Sequence, residues 1–259
     1  DVYENEGKRG GAYSWGAYTT QPFVLLNYQN NLNNVYTLAH ELGHAMHRYF
    51  TNTTQPYIYG GNSIFVAEVA STLNEALLTN HLLQTADDRS LKLQIVNQQL
   101  EEYRGTLFRQ TMFAEFELET HRRAEAGEAL TADAFTAIYQ DLLQRYFGSE
   151  VVIDDQILLE WTRIPHFYRG FYVYQYATGI SAATALARKI LAEGQPAVDR
   201  YLGFLRGGSS KTSIELLHGA GVDMAEPEPI EQAVEYFGAL VGQFEELIRD
   251  AGNGHLANA

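Results

Sequence analysis

The residues with the clearest chemical potential form a polar cluster inside an otherwise apolar stretch, TLAHELGHAMH at 37–47. His40 and His44 are four residues apart, so on a helix they lie about 40° apart in direction and one turn along the axis. Both imidazoles can therefore reach one metal ion. Glu41 points about 100° away from His40, so its carboxylate can contact a water beside the ion without being a ligand. The spacing predicts a metal site with a carboxylate base next to it.

The chain contains no cysteine, which restricts any metal site to histidine and carboxylate ligands. Such ligands suit zinc, and catalytic zinc takes three protein ligands while a fourth position stays open. The neighbours of the two histidines are small or apolar, and burying two imidazoles among them is costly unless a partner compensates them. We therefore predict one Zn²⁺ per chain, held by His40, His44 and a third ligand from another element.

The third zinc ligand is predicted on the helix that follows. Glu68 and Glu75 are seven residues apart, so they share one helix face. An antiparallel helix pair across the 51–62 connection brings Glu68 level with the histidines more readily than Glu75. We assign Glu68 as the third ligand, and Glu75 with Ser71 as groups that orient an imidazole.

His47 is the competing ligand on the first helix. Its use would take three ligands from one straight helix, which is poor geometry for one ion. The longer metzincin pattern is excluded as well, because it requires Gly at position 47 and His at position 50, where this chain has His47 and Phe50. We expect His47 to face solvent or the edge of the core.

A second polar cluster lies in IPHFYRGFYVYQYATG at 164–179. Its tyrosines could simply form a half-buried aromatic helix face. However, His and Tyr also donate hydrogen bonds to the oxyanion that forms when water attacks an amide, and Tyr172 and Tyr176 share one helix face. We predict that His166, Tyr176 and Tyr172 contribute to catalysis.

The wider pattern predicts a mostly α-helical chain that begins with a small β-hairpin or sheet. Residues 1–32 alternate small and aromatic residues, as short strands do. We expect one domain over 1–259, in which this β-rich segment precedes a helical body at 33–250 and a frayed tail at 251–259. Helical spacing and caps predict helices over 33–50 with an N-cap at Asn33 or Asn34, 63–83, 89–126, from 131 to about 147, 168–193, 196–206, 212–218 and 228–250.

Composition limits the classes of partner. The formal net charge is −14 with a pI near 4.9, and no run of Lys or Arg is present, so we expect neither nucleic acid nor an anionic membrane as a partner. The most apolar stretch, ATGISAATALA at 177–187, is too short for a membrane span and suits a closely packed helix.

Five blocks in order resemble the oligoendopeptidase F family, within the thimet oligopeptidase-like zinc peptidases. Two of them hold the predicted metal ligands, and one holds the second polar cluster. The blocks are GKRGGAYS at 7–14, TLAHELGHAMH at 37–47, FVAEVASTLNE at 65–75, IPHFYRGFYVYQYATG at 164–179 and FLRGGSSKTSIELLHGAGVDM at 204–224.

The resemblance implies a multi-helical, zincin-like catalytic domain whose channel admits short peptides. It implies that His40, His44 and Glu68 hold zinc, that Glu41 activates water, and that His166 with a tyrosine of the next helix binds substrate and oxyanion. Thimet oligopeptidase-like members carry a Tyr five residues after that His, where this chain has Phe171, so Tyr172 or Tyr176 takes the place.

The resemblance further implies a cytoplasmic location and a partner element. Family members are about twice as long, and their N-terminal helical half forms the opposite channel wall. We expect that half to be missing here, to lie on another polypeptide or to have been removed.

The predicted function is zinc-dependent endoproteolysis of short oligopeptides. One alternative is a zinc carboxypeptidase of related fold. The other is a zinc-stabilised fragment that binds peptides without cleaving them. The apolar segment PFVLLNY at 22–28 could pair with an extended substrate as an added strand.

Overall fold

The predominantly helical architecture predicted from the sequence is confirmed by a computed structural model, which describes the backbone of residues 1–256 and the side chains of residues 1–249. Of the predicted tail, residues 251–256 continue the last helix and 257–259 lie outside the described residues. The helices are α1 Leu32–Thr54, α2 Ile64–Thr85, α3 Arg89–Tyr103, α4 Arg109–Glu125, α5 Ala132–Phe147, α6 Tyr174–Glu193, α7 Gln195–Leu205, α8 Ser213–Ala220 and α9 Glu228–Leu256.

The predicted β segment is a two-stranded antiparallel sheet that leads into α1. Strand β1, Tyr13–Trp15, pairs with β2, Phe23–Leu25, so that Ser14 lies opposite Val24. Helix α1 begins after Asn31, whose side chain accepts a hydrogen bond from the backbone N–H three residues later. The prediction of Asn33 or Asn34 as the N-cap is therefore wrong by two or three positions.

Helices α1 and α2 form a closely packed antiparallel pair. Gly43 makes this possible, because a Cβ at that position would lie 2.6 Å from both the Ala70 carbonyl oxygen and the Ser71 Cα. Two hydrogen bonds fix the register on the N-terminal side of Gly43: Asn74 Nδ2 donates to the Ala39 carbonyl at 3.2 Å, and the hydroxyls of Tyr36 and Thr79 lie 2.9 Å apart. Any side chain larger than hydrogen at position 43 would push the two helices apart.

The long helix predicted over 89–126 is interrupted. A π-helical turn at Arg104–Phe108, which contains Gly105, separates α3 from α4. The chain also divides here into two compact units. Unit 1 comprises Asp1–Tyr103 and the chain from Thr178 onward, and unit 2 comprises Arg104–Ala177.

The core of unit 1 packs α2 against α6, α7 and α8. The small residues of α6 are almost completely buried, as the sequence predicts for a closely packed helix, and Leu186 lies among them. The side chains that meet them from the other helices are Val66, Val69, Leu73, Phe204 and Leu217.

Unit 2 has its own core, built from aromatic and aliphatic side chains of α4 and α5. Next to it lies a buried carboxylate, Glu160, which accepts hydrogen bonds from Arg109 and Arg163 and, at 2.7 Å, from the Tyr139 hydroxyl. Two guanidinium groups and a hydroxyl compensate its charge, as a buried carboxylate requires.

The helix predicted over 168–193 is wrong at its beginning, because α6 begins only at Tyr174. The preceding residues form short 3₁₀ turns at Ile157–Arg163 and Pro165–Tyr168. Phe171 adopts a left-handed conformation with φ 56°, which an α-helix cannot contain. The carboxylate of Glu117 stabilises it by accepting a hydrogen bond from the Phe171 N–H at 2.6 Å.

Across the part of the chain that the structure describes, none of the helices combines the length and the apolar character that crossing a bilayer demands.

Candidate metal centre

The three predicted ligands come together in unit 1. Ligand atoms of His40, His44 and Glu68 all lie within 4.8 Å of one another. Oε2 of Glu68 is 3.4 Å from Nε2 of His40 and 3.7 Å from Nε2 of His44. Zinc bonds of about 2.0–2.1 Å at tetrahedral angles separate neighbouring ligand atoms by about 3.4 Å. The spacing of these side chains therefore fits a zinc ion.

The packing of α1 against α2 sets this geometry. The two imidazoles lie one turn apart on α1, with ring centroids 4.8 Å apart and planes at 84°. Glu68 is on the facing helix, and Gly43, between the two histidines, allows the α2 backbone to approach. The ring of His44 is also held by a hydrogen bond to the Ala67 backbone.

The electrostatics of the site favour a cation. His40 lies between two carboxylates, with Nδ1 3.3 Å from Oε2 of Glu75, a buried oxygen that no other hydrogen bond satisfies among the described residues. Burial opposes charging of His40, but Glu68 and Glu75 outweigh burial and raise its pKa to about 10. A divalent cation would supply the same compensation to the carboxylates and leave both imidazoles neutral.

Glu75 and Ser71 have different contacts from one another. Glu75 lies against His40 Nδ1, as expected for a carboxylate that orients an imidazole. Ser71 does not orient an imidazole, so that prediction is wrong: its hydroxyl donates to the Glu68 carbonyl at 2.9 Å and lies 3.4 Å from Glu68 Oε2. Burial opposes ionisation of Glu68, but His40, His44 and Ser71 together lower its pKa.

Glu41, the predicted base, lies beside the ligand cluster and outside it. Its side chain leaves α1 next to His40, and only 7% of the residue is exposed. Burial raises the pKa of Glu41, and a backbone hydrogen bond from Ser14 in β1 acts against that rise. The short sheet therefore supports the carboxylate through a main-chain hydrogen bond.

His47 occupies a position that the sequence analysis did not predict. It is 2% exposed, and its ring stacks on Phe204 with centroids 5.3 Å apart. Burial lowers its pKa to about 3, so the imidazole is neutral. His47 is a core residue rather than one that faces solvent or the core edge.

The second polar cluster forms within unit 2. The His166 ring stacks on Tyr172, with centroids 5.7 Å apart, and meets Tyr176 edge-on at 6.1 Å. The Tyr176 hydroxyl is 3.5 Å from that of Tyr172. Tyr168, in the same segment, is 88% exposed. The structure thus brings the three predicted residues together with one another.

Two contributors to the site were missed at the sequence level. No sequence motif marks the Ser14 backbone amide, because a main-chain donor depends on the register of β1 rather than on residue type. Gly43 could have been found from the sequence. A glycine inside a helix destabilises it by about 1 kcal/mol relative to alanine, so a glycine between two ligands suggests a close backbone approach.

Comparison with known proteins places these observations in a family. A profile of peptidase family M3 matches residues 1–236. Oligopeptidase PepF of Bacillus subtilis (strain 168) is 58% identical over 248 residues, a match that covers 96% of this chain and 37% of that protein. The plasmid-encoded oligoendopeptidase F of Lactococcus lactis subsp. cremoris is 45% identical over 248 residues, covering 96% and 41% respectively.

Solved structures show the same similarity. The crystal structure of oligoendopeptidase-F from Enterococcus faecium superimposes with a TM-score of 0.77 and 43% identity, over 85% of this chain and 40% of that one. The chain therefore spans about two fifths of the length of these relatives.

Proposed function

The chain belongs to peptidase family M3, and from this premise we propose that it is a zinc-dependent endopeptidase that hydrolyses short oligopeptides. The observation that carries the proposal is the convergence of His40, His44 and Glu68 at the spacing of zinc ligands, with Glu41 buried beside them. The oligopeptidase names of the matched relatives support the substrate class.

The proposed chemistry divides between the metal and the side chains. Zinc held by His40, His44 and Glu68 would supply a Lewis acid that polarises the scissile carbonyl and makes water more acidic. Glu41 takes the proton from the attacking water and returns it to the leaving amine. Its burial supports this role, because a carboxylate with a raised pKa is a stronger base toward the attacking water.

His166, Tyr172 and Tyr176 are proposed to bind substrate and oxyanion. For Tyr176→Phe we expect a fall in kcat of about 100-fold with little change in KM, because loss of one oxyanion donor weakens transition-state binding selectively. Tyr168→Phe is the matched control, since that side chain is exposed in the same segment. Steady-state kinetics of both variants on a quenched-fluorescence peptide test this role. An unchanged rate in Tyr176→Phe would indicate that Tyr172 is the oxyanion donor instead.

The function is tested by metal content together with cleavage products. The purified chain is incubated with a mixed peptide pool, and the products are identified by mass spectrometry. We expect about one zinc per chain and cuts at internal bonds. Stepwise loss of C-terminal residues would indicate the carboxypeptidase, and zinc without any cleavage would indicate the peptide-binding fragment.

Short peptides are the proposed partners. The channel wall from an N-terminal helical half, outside this sequence, stays a prediction. The cytoplasmic location is also a proposal, supported by family resemblance alone, and fractionation of cells that express the chain tests it.

A further inference from the structure

A cavity of about 500 Å³ in unit 1 opens beside the proposed base. Its walls come from the N-terminal segment, the residues after β2 and the first turns of α1, and Glu41 belongs to the same wall as Thr37. The polar side chains of these walls include Glu4, Asn27, Gln29, Asn34, Thr37 and Glu41.

The proton transfers assigned to Glu41 indicate which part of the substrate lies at this cavity. A carboxyl that protonates the leaving amine must lie within about 3 Å of that nitrogen. The substrate residue that carries this nitrogen is then next to Glu41, at the cavity. We infer that the cavity receives the residue that follows the scissile bond, and that Glu4 makes it select basic over acidic side chains there. This inference rests on the proposed function.

The cavity is built from segments that are tied together. The Asn27 side chain donates to the Gly11 carbonyl at 2.8 Å and to the Arg9 carbonyl at 3.1 Å, which joins the segment before β1 to the segment after β2. The Gln29 N–H donates to Asn34 Oδ1 at 2.7 Å, which joins the latter segment to α1. These bonds hold the walls in place before a ligand enters, so little ordering is needed on binding.

Charge determines which side chain the cavity favours. Glu4 is held at the wall because Gln29 Nε2 donates to its Oε1 at 2.9 Å. Among the described residues that line the cavity, none is Lys or Arg. The Glu4 carboxylate therefore attracts an ammonium or guanidinium group and repels a carboxylate.

Lys8, the lysine nearest in sequence to the lining residues, does not change the negative charge of the cavity wall. The Lys8 side chain is 5% exposed; its ammonium donates to the carbonyls of Tyr3 and Leu26 and lies 3.4 Å from the Asp1 carboxylate, which offsets its charge. A carboxypeptidase needs a cation to bind the terminal carboxylate of its substrate on the leaving-amine side. A cavity with this charge disfavours a free carboxylate, so the inference also favours internal cleavage.

The test compares amidated quenched-fluorescence peptides that differ only in the residue after the scissile bond, which is Lys, Gln or Glu. With the zinc-loaded chain we expect kcat/KM to be about tenfold higher for Lys than for Glu, with Gln between them. Glu4→Gln should bring this ratio close to one, because the charge that distinguishes the two side chains is lost. Glu6→Gln is the matched control: it removes a nearby exposed carboxylate that does not line the cavity, and the ratio should stay at about tenfold.

Mass spectrometry of the products verifies that every peptide is cut at the same bond. An equal Lys to Glu ratio in the original chain and in Glu4→Gln overturns the inference and leaves the proposed function intact. An absence of cleavage in all three peptides overturns the proposed function, and the inference falls with it.

Discussion

Replacement of Glu41 by glutamine is expected to remove nearly all peptide hydrolysis while the chain keeps its zinc. Glutamine cannot take a proton from water at neutral pH, and it cannot return one to the leaving amine. General acid–base catalysis contributes about 10²- to 10⁴-fold to rates, and Glu41 is proposed to act in both transfers. We therefore expect kcat to fall by about 10³-fold or more.

The structure indicates that this substitution leaves the zinc ligands and the position of the side chain unchanged. Glu41 lies outside the group formed by His40, His44 and Glu68, so zinc content should not change. The glutamine carbonyl can still accept the backbone hydrogen bond from Ser14, which preserves the support of the side chain by β1.

The measurement is turnover of a quenched-fluorescence peptide, with zinc content determined on the same preparation. Glu75→Gln is the matched control, because it removes another buried charge from the same site and its amide oxygen can still accept from His40 Nδ1. With zinc at saturation that variant should keep most of its turnover. A Glu41→Gln enzyme within tenfold of the original rate would mean that another group is the base.

The parts of the site that the sequence predicts are those set by helical periodicity. His40, His44 and Glu41 occupy one stretch of helix, so their relative directions follow from residue numbers alone. The position of Glu68 needs only one more fact, an antiparallel helix pair, and the short connection at 55–63 makes that arrangement the simple one.

Other features depend on contacts between distant parts of the chain. The late start of α6 reflects the left-handed Phe171, which is held by Glu117 from a different helix, and aromatic spacing in the sequence continues smoothly through that point. His47 is buried because Phe204 of α7 packs on it, although its neighbours in sequence are polar or exposed. In both cases tertiary packing overrides the local pattern, so periodicity alone predicts the wrong environment.

Loss of zinc is the expected result of Glu68→Ala. The variant removes the only ligand that α2 contributes to the three-residue group, and two histidines from one helix leave the ion with an incomplete set. Loss of a group that merely orients a ligand weakens metal affinity by about 10- to 100-fold. Loss of a ligand should cost more, so we expect zinc affinity to fall by more than about 100-fold, and hydrolysis to fall with it.

Competition against a chelator of known affinity measures this directly and does not depend on activity. Glu75→Gln is again the comparator, since Glu75 contacts the imidazole of His40 and lies outside the ligand group, so its affinity loss should stay below about 100-fold. Circular dichroism of both metal-free variants separates loss of a ligand from loss of the fold, and Gly43 packed on α2 should keep the helix pair intact in each. Full zinc occupancy in folded Glu68→Ala would show that the third ligand is a different residue, and Glu75, 3.3 Å from His40, would then be the first to examine.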